Sequence, residues 1–339
     1  MVEAIFFLII SLGMILLAAE GFTNGIELIG RRLAFSQAVV GSILAAVGTA
    51  LPETILPIVA IFYHGTDISK EVGVGAILGA PFMLATIGFF LIGITAFVAS
   101  IRGGRLPEVR VESRTLQRDL KFFLVMYSAA VLLPIVFGHI VTAPLAFLLI
   151  AGYIFYVFRT VNGPSAEMEH LSGLHIIKFP AKMGWVDAVE HHIGWAWVQI
   201  AVALMLMVFG AHLFVQNLSV VSASFEMSPL LFALLVAPIA TELPEKFNSV
   251  TWTLKGKDTL AVGNMTGAMV FQSTFPVSVG LLFTPWKVEG MALVSAVLAL
   301  LSAAIVLGVV ASGRKIAPIV MMVGGVFYVV YALVVIFIK

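Results

Sequence analysis

Cysteine is absent from all 339 residues, which excludes disulfides and thiolate metal sites and leaves the redox compartment open. Charge is scarce too: 11% of residues are charged against 61% hydrophobic, and mean hydropathy is +1.10. Such a composition excludes an ordinary soluble domain. No His-Glu-x-x-His sequence occurs, and the seven histidines do not cluster within apolar runs, so a membrane metalloprotease has no support and no enzyme is expected. The net charge of +1 says little by itself, and because membrane topology accounts for the Arg-rich stretch, nucleic acid has no support as a partner. The apolar run Ala4–Ala19 lacks a basic leader region and a cleavage-like boundary, so it reads as a retained first helix.

Apolar length is what the chain has in abundance. Runs of about 20 residues, enough to cross a bilayer, recur along nearly its whole length. The pattern predicts an all-α integral membrane protein of ten transmembrane helices. They fall near 3–29, 37–63, 71–100, 120–138, 140–158, 194–216, 229–253, 258–284, 289–311 and 317–338. The expected organisation is a five-helix unit over 1–160, a cytoplasmic linker over 161–193 and a second five-helix unit over 194–339. Two connections are long, the Arg-rich 102–119 stretch and the polar 159–193 loop. The tract His175–Ile193 within the latter reads either as an amphipathic surface helix or as an ordered connecting loop.

The distribution of basic residues orients these spans. Counting sides alternately, one side collects Arg31, Arg32, Arg102, Arg105, Arg110, Arg114, Arg118, Lys121, Arg159, Lys178, Lys182, Lys255, Lys257, Arg314 and Lys315. The other collects Lys70, Lys287 and Lys339, and Lys246 is left inside a span. Under the positive-inside rule both termini lie outside and the long loops in the cytoplasm, as expected for a prokaryotic inner membrane.

One motif occurs twice at membrane depth: Gly48-Thr49-Ala50-Leu51-Pro52-Glu53 and Ala240-Thr241-Glu242-Leu243-Pro244-Glu245. A charge near the bilayer centre costs about 2.5–3.5 kcal/mol, so such carboxylates are functional-site candidates. Sliding 19–53 onto 211–245 without a gap aligns Ala19 with Ala211, Phe22 with Phe214, Ser36 with Ser228 and the Thr-x-Leu-Pro-Glu core with its copy. Five spans separate the copies, so they enter the membrane from opposite sides. That is an inverted-topology repeat, with the binding site expected where the two broken helices meet.

With these residues the chain resembles the cation/calcium antiporter superfamily, which includes the sodium/calcium exchangers. That family has ten helices in two inverted five-helix repeats, each with a Gly-Thr-Ser-Leu-Pro-Glu signature followed by a Gly-rich one. The Gly-rich counterparts here are Gly75–Pro81 and Gly263–Met269. The resemblance implies bidentate calcium coordination by Glu53 and Glu245. This chain departs from the family where the signature Ser is Ala50 or Glu242, and where Pro81 and Met269 replace polar residues. The family's several sodium sites therefore carry over poorly.

A hard divalent cation such as calcium takes six to eight oxygens. Glu53 and Glu245 supply the charge, and carbonyls near the proline breaks, including those of Thr49 and Thr241, can complete the shell as in the family. Pro81 either presents the carbonyl of Ile77 as a ligand or simply kinks its helix. Asn264 and Gln272 are read as packing hydrogen-bonders ahead of ion ligands, and Gly263 and Gly267 as a close-packing face. Glu242 and Lys246 share a helical face at i, i+4. They form either a structural ion pair or a fixed ammonium standing where relatives use a mobile monovalent cation. Glu20 aligns with His212, and either group can exchange protons or be satisfied locally.

The function expected is a secondary antiporter moving calcium or a similar divalent cation against protons or sodium, with no cofactor. The alternatives are a passive cation channel or an antiporter-fold protein for a different cation, although a channel favours rings of ligands about an axis over one duplicated site. Protons are favoured over sodium as the coupling ion. The departures remove sodium ligands, and burial with mutual repulsion favours the protonated form of a carboxylate.

Overall fold

A computed structural model describes residues 1–32, 50–106, 108–161 and 193–337. Thirteen helices occur among them: α1 (Val2–Arg32), α2 (Leu51–Ile58), α3 (Asp67–Met83), α4 (Phe89–Ile101), α5 (Ser113–Phe137), α6 (Thr142–Val161), α7 (Ile193–Ser224), α8 (Pro229–Thr241), α9 (Leu243–Leu254), α10 (Asp258–Gln272), α11 (Phe275–Phe283), α12 (Gly290–Ala311) and α13 (Pro318–Phe337). α2 runs on through a π-helical stretch, Val59–His64, and a π turn, Leu84–Gly88, joins α3 to α4. No strand is formed among the described residues; the one β feature is a bridge between Val109 and Ile316.

Among the described residues seven helical stretches are long and apolar enough to cross a membrane, so the chain is an integral multi-pass membrane protein. One of them, Ser113–Thr160, has 48 residues, about 70 Å if straight, more than twice a bilayer's hydrocarbon core. It folds back on itself at Gly138, whose φ of +67° a side chain would resist. Beyond that reversal Gly152 lies against Met126, and Tyr156 against Phe122, so α5 and α6 form an antiparallel hairpin. Two shorter apolar helices, Leu51–His64 and Pro229–Ile239, adjoin the repeated motif.

Packing between the halves is extensive. α1 runs along α7, and α3 lies against α8. At the α3–α8 crossing a Cβ on Gly75 or Gly79 would run into the carbonyl oxygens of Leu230 and Leu234, so these glycines set the approach of the two backbones. Elsewhere one half's pairings echo the other's: α13 packs on α4 as α6 packs on α11, and α2 packs on α3 as α9 packs on α10.

One end of the bundle gathers three connections. The Val109 N–H donates to the Ile316 carbonyl at 3.0 Å, joining the α4–α5 and α12–α13 links. Arg105 grips both oxygens of Asp258 at 2.5 and 2.7 Å and donates to the carbonyls of Thr253 and Glu108, both at 2.8 Å. Lys315 pairs with Glu108 at 2.7 Å. Arg102, Arg105, Arg110, Lys255, Lys257, Arg314 and Lys315 thus share one end, as the charge count predicts.

The structure corrects the expected boundaries at several places. α5 begins at Ser113, so Arg114 and Arg118 stand on a helix and not in the Arg-rich connection. Hydropathy marks where lipid begins, whereas the hydrogen-bond ladder starts earlier. Buried Asp119 explains the extension: it accepts from Tyr156 and Thr266 hydroxyls, each at 3.0 Å, and from neighbouring Arg118, joining α5, α6 and α10. α7 likewise runs two turns past the predicted 216. Val161 and Ile193, assigned to the linker, are helical, and the rest of that linker lies outside the described residues.

Candidate cation-binding site

Each signature places its Leu-Pro-Glu at the start of a helix. Ala50 sits in a turn and α2 begins at Leu51, with Pro52 in its first turn. In the second half α8 ends at Thr241, Glu242 caps α9, and Pro244 occupies the matching place. A first-turn proline loses nothing by lacking an N–H, because that donor has no helical partner there. The sequence suggested prolines interior to continuous helices; in the second half the chain instead breaks two residues before the proline. The break in the second half interrupts 229–253 at Glu242, leaving the Ala240 carbonyl without the N–H that Pro244 lacks.

These helix starts bring three carboxylates and one ammonium together. Glu53, Glu242, Glu245 and Lys246 are 4%, 0%, 2% and 6% exposed. Glu245, Glu242 and Lys246 are the ionised groups that act most strongly on Glu53, so carboxylates from both halves share one buried field. Neither oxygen of Glu53 has a hydrogen-bond partner among the described residues. With all four ionised, these groups would sum to two negative charges, which match one divalent cation.

Lys246 is held from three directions. Its ammonium lies 3.1 Å from one Glu242 oxygen, near enough for an ion pair though off the line of a hydrogen bond. It donates at 2.9 Å to the Pro238 carbonyl and at 2.9 Å to the Met83 sulfur. The alignment of the two halves puts Ala50 opposite Glu242 and Thr54 opposite Lys246. There the Thr54 hydroxyl donates to the Ala50 carbonyl at 3.0 Å, a neutral turn of the same span. The ion pair therefore belongs to one half only.

The other predicted residues divide into those near this cluster and those elsewhere. Thr241 is buried and its hydroxyl donates back to the Ala237 carbonyl at 3.2 Å, leaving its own carbonyl at the break. Asn264 donates to the Glu245 carbonyl at 3.1 Å and to Ser249 at 3.2 Å, so it braces the start of α9. Gln272 is buried against Glu242. Pro81 lies buried inside α3, two residues before Met83, and the π turn follows it. Ser302 donates to the Ala85 carbonyl in that turn at 2.5 Å. Thr49 lies outside the described residues. Gly263 and Gly267, read as a packing face, meet no described neighbour within 4 Å of an added Cβ; the close packing occurs at Gly75 and Gly79.

Glu20 and His212 do not join the cluster. Glu20 is exposed on α1. His212 stacks on His64 with ring centroids 4.7 Å apart and meets the edge of Tyr63. His64 lies eleven residues beyond Glu53, roughly 16 Å along the helix. Met83, Pro238 and Ser302 were not singled out from the sequence. Pro238 carries the one available signal, a second proline six residues before Pro244.

Among the described residues no three His, Asp or Glu side chains are arranged to close around a metal ion. Two carboxylates facing across the halves, with main-chain carbonyls at the break in the second half, are the oxygens on offer. The sequence model of the family described as sodium/calcium exchanger protein matches residues 3–161 and 195–339. The chain belongs to that family. A candidate antiporter of Alkalimonas amylolytica, CaxA, is 26% identical over 295 residues, covering 86% of this chain and 84% of that one. Two solved structures share the exchanger fold. The crystal structure of the H+/Ca2+ exchanger CAX has a TM-score of 0.72 and 17% identity, covering 99% of this chain and 84% of that one. The sodium-calcium exchanger NCX_Mj has a TM-score of 0.57 and 18% identity, covering 98% of each chain.

Proposed function

We propose that this exchanger-family member is a secondary antiporter that moves calcium, or a similar divalent cation, against protons by alternating access. The observation that carries the reading is Glu53: a carboxylate buried at membrane depth, unbonded among the described residues, in the field of Glu245 and Glu242 from the other half. Uncompensated carboxylates at that depth are too costly to keep without a cation to bind. Glu53 and Glu245 supply the charge, and the Thr241 carbonyl at the break in the second half, with that of its sequence counterpart Thr49, supplies further oxygens. Ten crossings in two inverted repeats, 1–160 and 194–339, complete the proposal, with both termini outside a prokaryotic inner membrane. The echoed packing of the halves and the single basic end support it.

Protons are the simplest coupling ion because a proton and a metal compete for the same carboxylate oxygens. Ala50, Pro81 and Met269 offer no side-chain oxygen for sodium, and Met269 is fully buried. The family's description favours sodium as the second reading. Flux of labelled calcium into sodium-free vesicles distinguishes them. With an acid interior, protons leave down their gradient and calcium accumulates inside, and collapsing the pH gradient stops it. Uptake that needs sodium and ignores the pH gradient refutes proton coupling. A downhill leak blind to both gradients indicates a channel.

A further inference from the structure

The Lys246 ammonium is surrounded by three groups at 2.9–3.1 Å: a Glu242 carboxylate oxygen in an ion pair, and the Pro238 carbonyl and Met83 sulfur, to which it donates. We infer that these groups form a cage for a small monovalent cation, and that Lys246 fills it with a cation that cannot leave. A carboxylate and a carbonyl are ligands that a free ammonium or alkali ion takes. The soft, weak acceptor of Met83 suits an N–H better than a hard metal ion. The fold itself does not require the pair. At the matched helix start in the first half, Ala50 and Thr54 stand in place of the pair without any charge. Burying both charges costs more than burying apolar side chains of the same size.

The consequence for transport rests on the reading proposed above. An ammonium that stays in place neutralises Glu242 in every state of the cycle and leaves Glu53 and Glu245 to the exchanged ions. The position then asks for no monovalent ion from solution.

Removing the side chain tests this directly. Purified Lys246→Ala, wild type and the doubly neutral Glu242→Gln, Lys246→Met variant are melted in ammonium, methylammonium or choline chloride at constant ionic strength, with no divalent ion. Binding to the folded state raises a melting midpoint with ligand concentration. The inference expects Lys246→Ala to gain a saturable upward shift with ammonium and methylammonium but none with bulky choline, while the other two proteins stay flat. A flat response in Lys246→Ala, or an equal response to choline, overturns it. If Lys246→Ala is recovered folded only when purified in ammonium, the cage is supported. If it is folded in no salt, whether or not the double variant folds, the pair serves folding alone and the inference fails. Because melting is read without calcium, absent calcium flux in wild type would sink the transport reading and leave this result standing.

Discussion

Glu53→Gln isolates the charge that the site contributes from its first half. The substitution keeps the shape of the side chain and removes one of two carboxylates available to a divalent ion. Glu53 is buried, so solvent cannot replace the missing charge. Removing one member of a buried charged interaction costs about 3–5 kcal/mol. At tenfold per 1.4 kcal/mol, calcium affinity falls roughly a hundred- to several-thousand-fold. Stability should not fall with it. Both Glu53 oxygens lack a hydrogen-bond partner among the described residues, so the amide breaks no bond seen there, and the melting midpoint without calcium holds or rises. Labelled-calcium uptake into proteoliposomes over a wide concentration range reads the affinity, and melting in detergent reads the fold. Uptake with wild-type affinity and rate in a folded Glu53→Gln protein would refute the site. A collapse of stability would show that the carboxylate holds the bundle together.

The remaining predictions concern architecture. Cysteines placed at exposed Arg110 and Lys287 in this cysteine-free chain should react with an impermeant maleimide from opposite sides of the membrane, and labelling from one side would break the proposed topology. Gly79→Leu should lower the melting midpoint, because its Cβ meets the Leu234 carbonyl and the Pro238 ring, and such overpacking costs about 1–3 kcal/mol or more. Gly308→Leu, whose Cβ meets no described atom within 4 Å, is the control, and equal effects would undo the close-approach argument.

Much of this organisation was legible in the residues because lipid is an exacting solvent. It leaves few places for a carboxylate, so a matched Thr-x-Leu-Pro-Glu in two apolar halves marks the site by its cost alone. The helices at 71–100, 289–311 and 317–338 follow their apolar runs closely for the same reason. Contacts across the chain left no such mark. Met83 is an ordinary apolar residue in an apolar helix, and only the packing of α3 against α8 brings its sulfur to Lys246 at the start of α9. His64 and His212 stack because α2 lies beside α7, a pairing that no local spacing encodes. Asp119 was lost among the charges of the Arg-rich stretch, since its partners Tyr156 and Thr266 lie 37 and 147 residues away.

The unmatched charges of Glu242 and Lys246 carry an implication of parity. Two identical subunits about a two-fold axis place every off-axis group in even numbers. A pair of identical half-length chains would bring two such lysines or none, and among the described residues this interior holds one. An odd count becomes accessible once the two halves can differ in sequence, as halves of one polypeptide do. Such halves permit a lopsided interior, with charge chemistry in one that the other never has to repeat.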